Sequence, residues 1–141
     1  MRVLIVYESR GGKTARTASA IADALREHGH DVRLTTVGNA QPSEAADVDL
    51  VIVGTWTEGY LVFGVGPAKA TRAWLERLPQ LDGRRAAVFC TYAFQPRGVL
   101  DAMAGPLRAR GAAVGASHAF HRRDPVDGAE AFARAAVASG L

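Results

Sequence analysis

Two hydrophobic patterns alternate along the chain and predict its secondary structure. Short, almost wholly apolar runs such as residues 3–7 and 49–54 are typical of parallel strands that are buried on both faces. Between such runs the apolar residues recur at helical spacing, as Ile21 and Leu25 do within residues 14–28. The chain is therefore predicted to alternate strands with amphipathic helices.

The predicted elements follow from the bounds of these patterns. The strands are residues 3–7, 30–37, 49–54, 86–91 and 112–120. The first three helices are residues 14–28, residues 67–78 with Pro67 in the first turn, and residues 99–107 with a kink or break at Pro106. Asp124 and Pro125 begin a last helix, whose predicted buried face is Ala129, Phe132, Ala133 and Ala136. Residues 38–47 are predicted as loop or one short helix, and the glycine-rich residues 55–66 as loop.

This order predicts an α/β fold, a three-layer sandwich in which helices cover both faces of a five-stranded parallel sheet. The length of 141 residues suits a single domain spanning residues 1–141. Ligands of open parallel sheets bind beyond the carboxyl ends of the strands. Function is therefore predicted in three segments, residues 8–14, 55–66 and 91–98.

Composition and charge exclude several classes of protein. No apolar run approaches the roughly 20 residues that cross a bilayer, so we expect a soluble, cytoplasmic protein with no membrane partner. The single cysteine, Cys90, allows no internal disulfide, and His118 with His121 is interpreted as a surface pair, so no metal site is predicted. The net charge is only +3 with a pI near 9.5, and no recognition helix is evident, so nucleic acid is not a predicted partner.

The segment between the first strand and the first helix carries the most specific signal. It reads Ser9, Arg10, Gly11, Gly12, Lys13 and Thr14. Glycines let backbone N–H groups converge on an anion, and a helix N-terminus adds its positive dipole end, so a phosphate group is the predicted ligand. The alternative is a tight turn with Thr14 as a helix cap. A triphosphate-binding P-loop is excluded because Tyr7 stands where that motif needs glycine.

In this segment and in its order of elements, the chain resembles the flavodoxin family, FMN-binding redox proteins with strand order 2-1-3-4-5. The phosphate loop of the family reads T/S-x-T-G-x-T, which Ser9, Gly12 and Thr14 match at the first, fourth and sixth positions. Gly11 departs from the pattern by removing a hydroxyl group. Arg10 and Lys13 depart from it by adding charge. The resemblance implies FMN as cofactor and leaves another phosphate-bearing ligand open.

The second and third segments are similar to the family's flavin-ring loops. The resemblance implies that Trp56 stacks on the isoalloxazine, with a lid or core aromatic as the alternative, and that Gly59 allows a peptide flip towards flavin N5. It also implies backbone contacts to the pyrimidine side of the ring after the fourth predicted strand, where Phe94 could instead close one side of the pocket. The implied contacts in the two segments are Thr55, Trp56, Thr57, Glu58, Gly59, Thr91, Tyr92, Ala93 and Phe94.

The resemblance implies electron transfer through the flavin, with no side chain as catalyst and with a redox partner protein or a small-molecule electron acceptor as partner. The alternatives are an FMN-dependent NAD(P)H:quinone-type reductase and a binding module that has lost flavin. A chain this short has little material for a nicotinamide pocket, which favours a carrier. Arg10, Lys13 and Arg97 on the predicted ligand face favour an acidic protein or an anionic small substrate. The oligomeric state stays open.

Overall fold

A parallel sheet between two helical layers forms the centre of the protein. The structure is a computed structural model, which describes residues 1–60 and 63–138. In chain order the elements are β1 (Arg2–Glu8), α1 (Lys13–Glu27), β2 (Asp31–Thr36), a 3₁₀ helix (Pro42–Asp47), β3 (Leu50–Tyr60), β4 (Phe63–Pro67), α2 (Lys69–Glu76), β5 (Arg85–Tyr92), α3 (Val99–Ala109), β6 (Ala113–His121) and α4 (Ala129–Ala138).

Five of the strands are parallel and lie in the order β2-β1-β3-β5-β6. Counted along the chain without β4, this is the predicted order 2-1-3-4-5, so the three-layer α/β prediction is confirmed. The additional strand β4 was not predicted, and it pairs antiparallel with the end of β3. No helix in the described part of the chain is long and apolar enough to cross a membrane.

The alternation of side chains along the strands divides the core into two clusters. Leu4 and Val6 of β1 face the side covered by α2 and α3, where Trp74, Leu75 and Met103 pack against them. Val3 and Ile5 face the other side, which α1 and α4 cover. Both faces of the central strands are therefore buried, which explains their nearly continuous apolar sequence.

The prediction that residues 55–66 form a loop is wrong for the residues that the structure describes. β3 runs on to Tyr60, beyond the parallel sheet, and its last residues form an antiparallel ladder with β4 in which Thr57 faces Pro67. Residues 61 and 62 lie outside the described residues. The ladder is rich in glycine and lies above the core, so it lacks the apolar run on which the strand predictions depended.

Two predicted helix starts are also wrong. Pro67 ends β4, and α2 begins at Lys69. α4 begins at Ala129, after a turn in which the amide of Asp127 donates to the carbonyl of Asp124. Pro125 is buried in this turn, and its carbonyl accepts the hydroxyl of Thr17 on α1, which fixes the segment before the helix starts.

The predicted kink or break at Pro106 does not occur, since α3 is one helix from Val99 to Ala109. Pro106 lies near the end of the helix, where the missing N–H costs one intrahelical hydrogen bond. Its own carbonyl still accepts the amide of Arg110, 3.2 Å away. The helical path therefore continues through the proline. The predicted buried face of α4 is confirmed.

Candidate functional site

A cavity of about 460 Å³ opens at the edge of the sheet where the parallel strands end. Its volume lies within the range of about 300–1,000 Å³ that is typical of small-molecule sites. The residues that line it are Arg10, Gly11, Lys13, Trp56, Thr57, Gly59, Thr91, Tyr92, Ala93, Phe94 and Arg122. All but Arg122 belong to the three segments in which the sequence predicts function.

The first segment forms a sharp turn from β1 into α1. Gly11 and Gly12 have φ angles of 81° and 95°, in the left-handed region that favours glycine. Ser9 takes the role of a helix cap, because its hydroxyl oxygen accepts the amide of Ala15 at 3.1 Å. Its hydroxyl proton can still be donated to an anion. The amides of the first two helical residues, Lys13 and Thr14, have no acceptor within the helix and offer two further donors.

Thr14 lies behind the cavity wall. It is 1% exposed, and its hydroxyl pairs with that of Thr91 at 2.7 Å. The carbonyl of Thr91 accepts the hydroxyl of Thr57 at 2.8 Å. These two bonds connect the start of α1, the end of β5 and the extension of β3. Thr91, which takes part in both bonds, therefore ties the three predicted segments together.

The second segment divides between the cavity and the scaffold. Trp56 and Thr57 line the cavity, whereas Thr55 is fully buried, donates to the carbonyl of Trp56 and accepts the amide of Ala68. Glu58 is turned towards α2, where it accepts the amide of Lys69 and pairs with a nearby arginine, Arg72, at 3.6 Å. Among the predicted contacts, Ser9, Gly12, Thr14, Thr55 and Glu58 are not on the cavity wall.

A guanidinium group covers the aromatic ring of Trp56. The Cζ atom of Arg10 lies 5.2 Å from the centre of the indole ring, a cation–π distance. The residue predicted at the phosphate and the residue predicted at the flavin ring are thus in contact.

Gly59 lies at an irregularity in the β3–β4 ladder, between Glu58 and Tyr60. Its φ is 100°, and a Cβ atom there would lie 2.3 Å from the carbonyl oxygen of Gly64. Only glycine therefore fits at this point of the cavity wall. The same freedom is what a change of peptide orientation would need.

The third segment supplies Tyr92, Ala93 and Phe94 to the cavity. Tyr92 packs edge-on against His121, with ring centres 5.1 Å apart. Phe94 is 71% exposed, although it is a large apolar side chain at the mouth of the cavity.

Arg122 is the cavity residue that sequence reasoning missed. It follows β6, and its amide donates to the carbonyl of Tyr92 at 2.9 Å, which holds it beside the third segment. The sequence shows it within the basic run His121-Arg122-Arg123, which resembles an ordinary solvated surface. Its position directly after the last strand could have identified it from the sequence, because the carboxyl ends of all parallel strands meet at the same edge of the sheet.

Electrostatically, the cavity wall is positive. Arg10, Lys13 and Arg122 line it, and none of its lining residues is a carboxylate. Cys90 lies in β5 beneath the site, and burial raises the pKa of its thiol to about 12 even though a hydrogen bond with Thr57 opposes this shift. The thiol is therefore protonated at neutral pH, as expected for an inert structural cysteine.

The residues of the cavity fit FMN. Arg10, Gly11 and Lys13 of the first segment adjoin the helix amides that lack an intrahelical acceptor, where a phosphate would bind. Trp56, Tyr92 and Phe94 supply aromatic surface for a flat ring system.

Comparison with known proteins gives a consistent assignment. The family model described as Flavodoxin matches residues 5–133 of the chain. No curated protein sequence gives a significant match. Among solved structures, the flavodoxin of Streptococcus pneumoniae TIGR4 superposes with a TM-score of 0.84 at 24% identity, covering 98% of this chain and 99% of that one.

Two further solved structures are similar. Flavodoxin 2 from Bacillus cereus superposes with a TM-score of 0.81 at 25% identity, covering 98% of this chain and 99% of its own. The two-electron reduced flavodoxin of Megasphaera elsdenii superposes with a TM-score of 0.80 at 23% identity, covering 94% and 99%. Because the family model spans nearly the whole chain, the protein belongs to the flavodoxin family and is an FMN-binding electron-transfer protein.

Proposed function

We propose that the protein is an electron carrier that holds FMN in the cavity at the carboxyl ends of β1, β3 and β5 and exchanges electrons with a separate redox partner. The observation that carries this proposal is the cavity itself, which places cations and helix amides beside three aromatic side chains. A cytoplasmic location is part of the proposal, supported by the free, buried thiol of Cys90.

The phosphate would bind in the first segment. Ser9 would donate its hydroxyl, Arg10 and Lys13 their charged groups, and the backbone from Gly11 to Thr14 its amides. Hydrogen bonds to charged groups contribute about 1.5–3 kcal/mol each, against about 0.5–1.5 kcal/mol for neutral ones. We therefore assign most of the discrimination between FMN and riboflavin to this segment.

Arg10 would connect phosphate binding to ring binding. Its cation–π contact with Trp56 is worth about 0.5–1 kcal/mol at an exposed site, less than a charge-assisted hydrogen bond to phosphate. A bound phosphate would therefore draw the guanidinium away from the indole. The face of Trp56 would then be open for the flavin ring.

The ring end would exclude water and orient the flavin. Trp56 would stack on the ring, Phe94 or Tyr92 would cover another part of it, and the backbone of Thr91 and Ala93 would bind its pyrimidine edge. Thr57 and Gly59 would form the wall beside N5, and the adjoining Thr55 and Glu58 would hold that wall in place through their bonds to Ala68 and Lys69. When bound, FMN supplies the chemistry, accepting and releasing one or two electrons. Electron transfer through the flavin needs no side chain as acid or base, so none is assigned.

Reconstitution with flavin and rapid mixing with nicotinamide test the proposal. The purified protein should bind FMN more tightly than riboflavin, and mixing the FMN-loaded protein with NADPH or NADH should give no catalytically useful reduction. Rapid reduction by a nicotinamide alone would instead support the reductase. Failure to bind either flavin would support a binding module without redox function.

Trp56→Ala tests the ring end of the site. The variant should weaken FMN and riboflavin alike and leave bound flavin more fluorescent, because the stacked indole that quenches emission is gone. Trp74→Phe is the matched control, since Trp74 is a buried tryptophan whose indole N–H donates to the carbonyl of Ala40, away from the cavity. Unchanged affinity and emission in Trp56→Ala would contradict the assignment.

A further inference from the structure

Three cations line the cavity and a fourth lies on the adjoining loop, and together they form what we call the basic rim: Arg10, Lys13, Arg122 and Arg97. Arg10, Arg97 and Arg122 are exposed, and Lys13 is half-buried. Arg97 does not line the cavity, but it lies on the loop between Phe94 and α3, at the same edge of the sheet. The formal charge of the whole chain is +3, so these four cations more than account for its positive excess.

The charge of the basic rim is not neutralised by ion pairs among the described residues. The ion pairs of the described residues involve four other arginines, none of which belongs to the basic rim: Arg26, Arg33, Arg72 and Arg134. The two carboxylates of the three segments, Glu8 and Glu58, bond to residues of α2 instead of to the rim. Glu8 accepts the amide and hydroxyl of Thr71, and Glu58 faces α2. A bound FMN phosphate, with a charge near −2, would offset Arg10 and Lys13 and leave Arg97 and Arg122.

An exposed aromatic side chain lies within the basic rim. Phe94 and Val126 are the large hydrophobic residues that the described part of the chain leaves exposed, and Phe94, at 71%, is the more exposed of the two. An apolar centre bordered by arginines is the usual anatomy of a protein–protein interface, where aromatic and arginine residues supply most of the binding energy. A small anion would use the cations but gain nothing from the outer face of Phe94.

We propose that the basic rim around Phe94 is the docking surface for a redox partner protein whose own docking surface is acidic. The inference rests on the proposed carrier function, because electron transfer requires the partner to approach the mouth of the cavity. Long-range attraction between the two surfaces would accelerate encounter and orient the flavin edge towards the partner. Added salt would weaken that attraction, since exposed charges are screened within about 10 Å at 0.1 M.

The test compares two soluble haem proteins of opposite charge as electron acceptors. The FMN-loaded protein, reduced under anaerobic conditions, is mixed in a stopped-flow instrument with cytochrome b5, which is acidic, or with cytochrome c, which is basic. We expect the second-order rate constant for the acidic protein to fall steeply as salt is added and that for the basic protein to rise. The opposite pattern, or no dependence on salt, would overturn the proposal.

Charge-reversal variants locate the effect on the protein surface. Arg97→Glu and the double variant Arg97→Glu/Arg122→Glu should slow transfer to cytochrome b5 at low salt, by about tenfold in the double variant. Arg108→Glu is the matched control, because Arg108 is an exposed arginine in the last turn of α3, at the opposite edge of the sheet. Equal rate constants for Arg97→Glu and Arg108→Glu would overturn the proposal. The amount of bound FMN is measured by absorbance in every variant, so that a loss of flavin is not mistaken for a loss of docking.

The outcomes separate this inference from the proposed function. A protein that binds no flavin refutes the carrier function. Docking is then tested by titrating the flavin-free protein with cytochrome b5 and following backbone amide signals by NMR. Shifts confined to the basic rim support the docking surface, and their absence overturns it. Variants that impair reduction by NADPH but not electron transfer to cytochrome b5 would also overturn it, in favour of a small anionic substrate.

Discussion

The hydroxyl pair of Thr14 and Thr91 allows a quantitative test of how the site is held together. The two oxygens lie 2.7 Å apart, an ordinary O–H···O length, and the residues are 1% and 4% exposed. Replacing either residue by valine keeps the shape of the side chain but leaves the other hydroxyl buried without this partner. Such a group costs about 1–3 kcal/mol, so Thr14→Val and Thr91→Val should each lower the free energy of unfolding by about that amount.

The double variant should not show the sum of the two losses. With both hydroxyls removed, no polar group is stranded, and we expect a coupling energy of about 1–2 kcal/mol between the two sites. Urea denaturation of the flavin-free protein measures this cycle, because bound FMN would add its own stabilisation. Thr35→Val on β2, a half-buried edge position, is the matched control and should change the free energy by less than about 0.5 kcal/mol.

Two results would refute the reasoning. Additive effects of the two substitutions would show that the hydroxyls do not bond to each other. Unaltered unfolding in Thr14→Val, together with weaker binding of FMN but not of riboflavin, would show that the hydroxyl of Thr14 donates to the phosphate instead of bracing the segments.

Two further predictions concern the wall and floor of the site. Gly59→Ala should weaken FMN binding and lower the melting temperature far more than Gly64→Ala, as measured by fluorescence titration and thermal unfolding. Both glycines have positive φ, but only at Gly59 would a Cβ atom meet backbone, 2.3 Å from the carbonyl oxygen of Gly64. Equal effects of the two substitutions would refute the steric argument. Cys90 should resist an aromatic disulfide reagent at pH 8 and react fully once urea unfolds the chain, because burial raises the pKa of the thiol to about 12; rapid labelling of the folded protein would contradict this.

The parallel sheet could be predicted because burial on both faces leaves a simple trace in the sequence. Val51, Ile52 and Val53 belong to a strand that packs against helices on each side, so every position must be apolar. The same reasoning failed for the β3–β4 ladder. Val65 of its β4 strand packs against the core, while Trp56, Thr57 and Gly59 face the cavity and Glu58 faces α2, so no continuous apolar run marks it.

Only those features of the site that follow from the order of strands and helices along the chain could be predicted. The edge of the sheet and the three segments follow from the succession of strands and helices. The pairing of Thr14 with Thr91 depends on a contact between residues 77 positions apart, and that of Arg10 with Trp56 on side-chain packing. No local pattern encodes such contacts. Arg122 was missed for a different reason: its position after the last strand pointed to the site, but its basic neighbours made it resemble a solvated surface.

The structure gives a physical reason for the unusual composition of the first segment. A Cβ atom at Gly11 would have nothing within 4 Å, so space does not exclude a hydroxyl residue there. Its φ of 81° does favour glycine, because a side chain in this region costs roughly 1–2 kcal/mol. The turn thus gives up one hydroxyl donor to the phosphate, and a hydrogen bond to a charged group contributes about 1.5–3 kcal/mol. Arg10 and Lys13 can offset that loss through charge, and the same two cations form half of the basic rim.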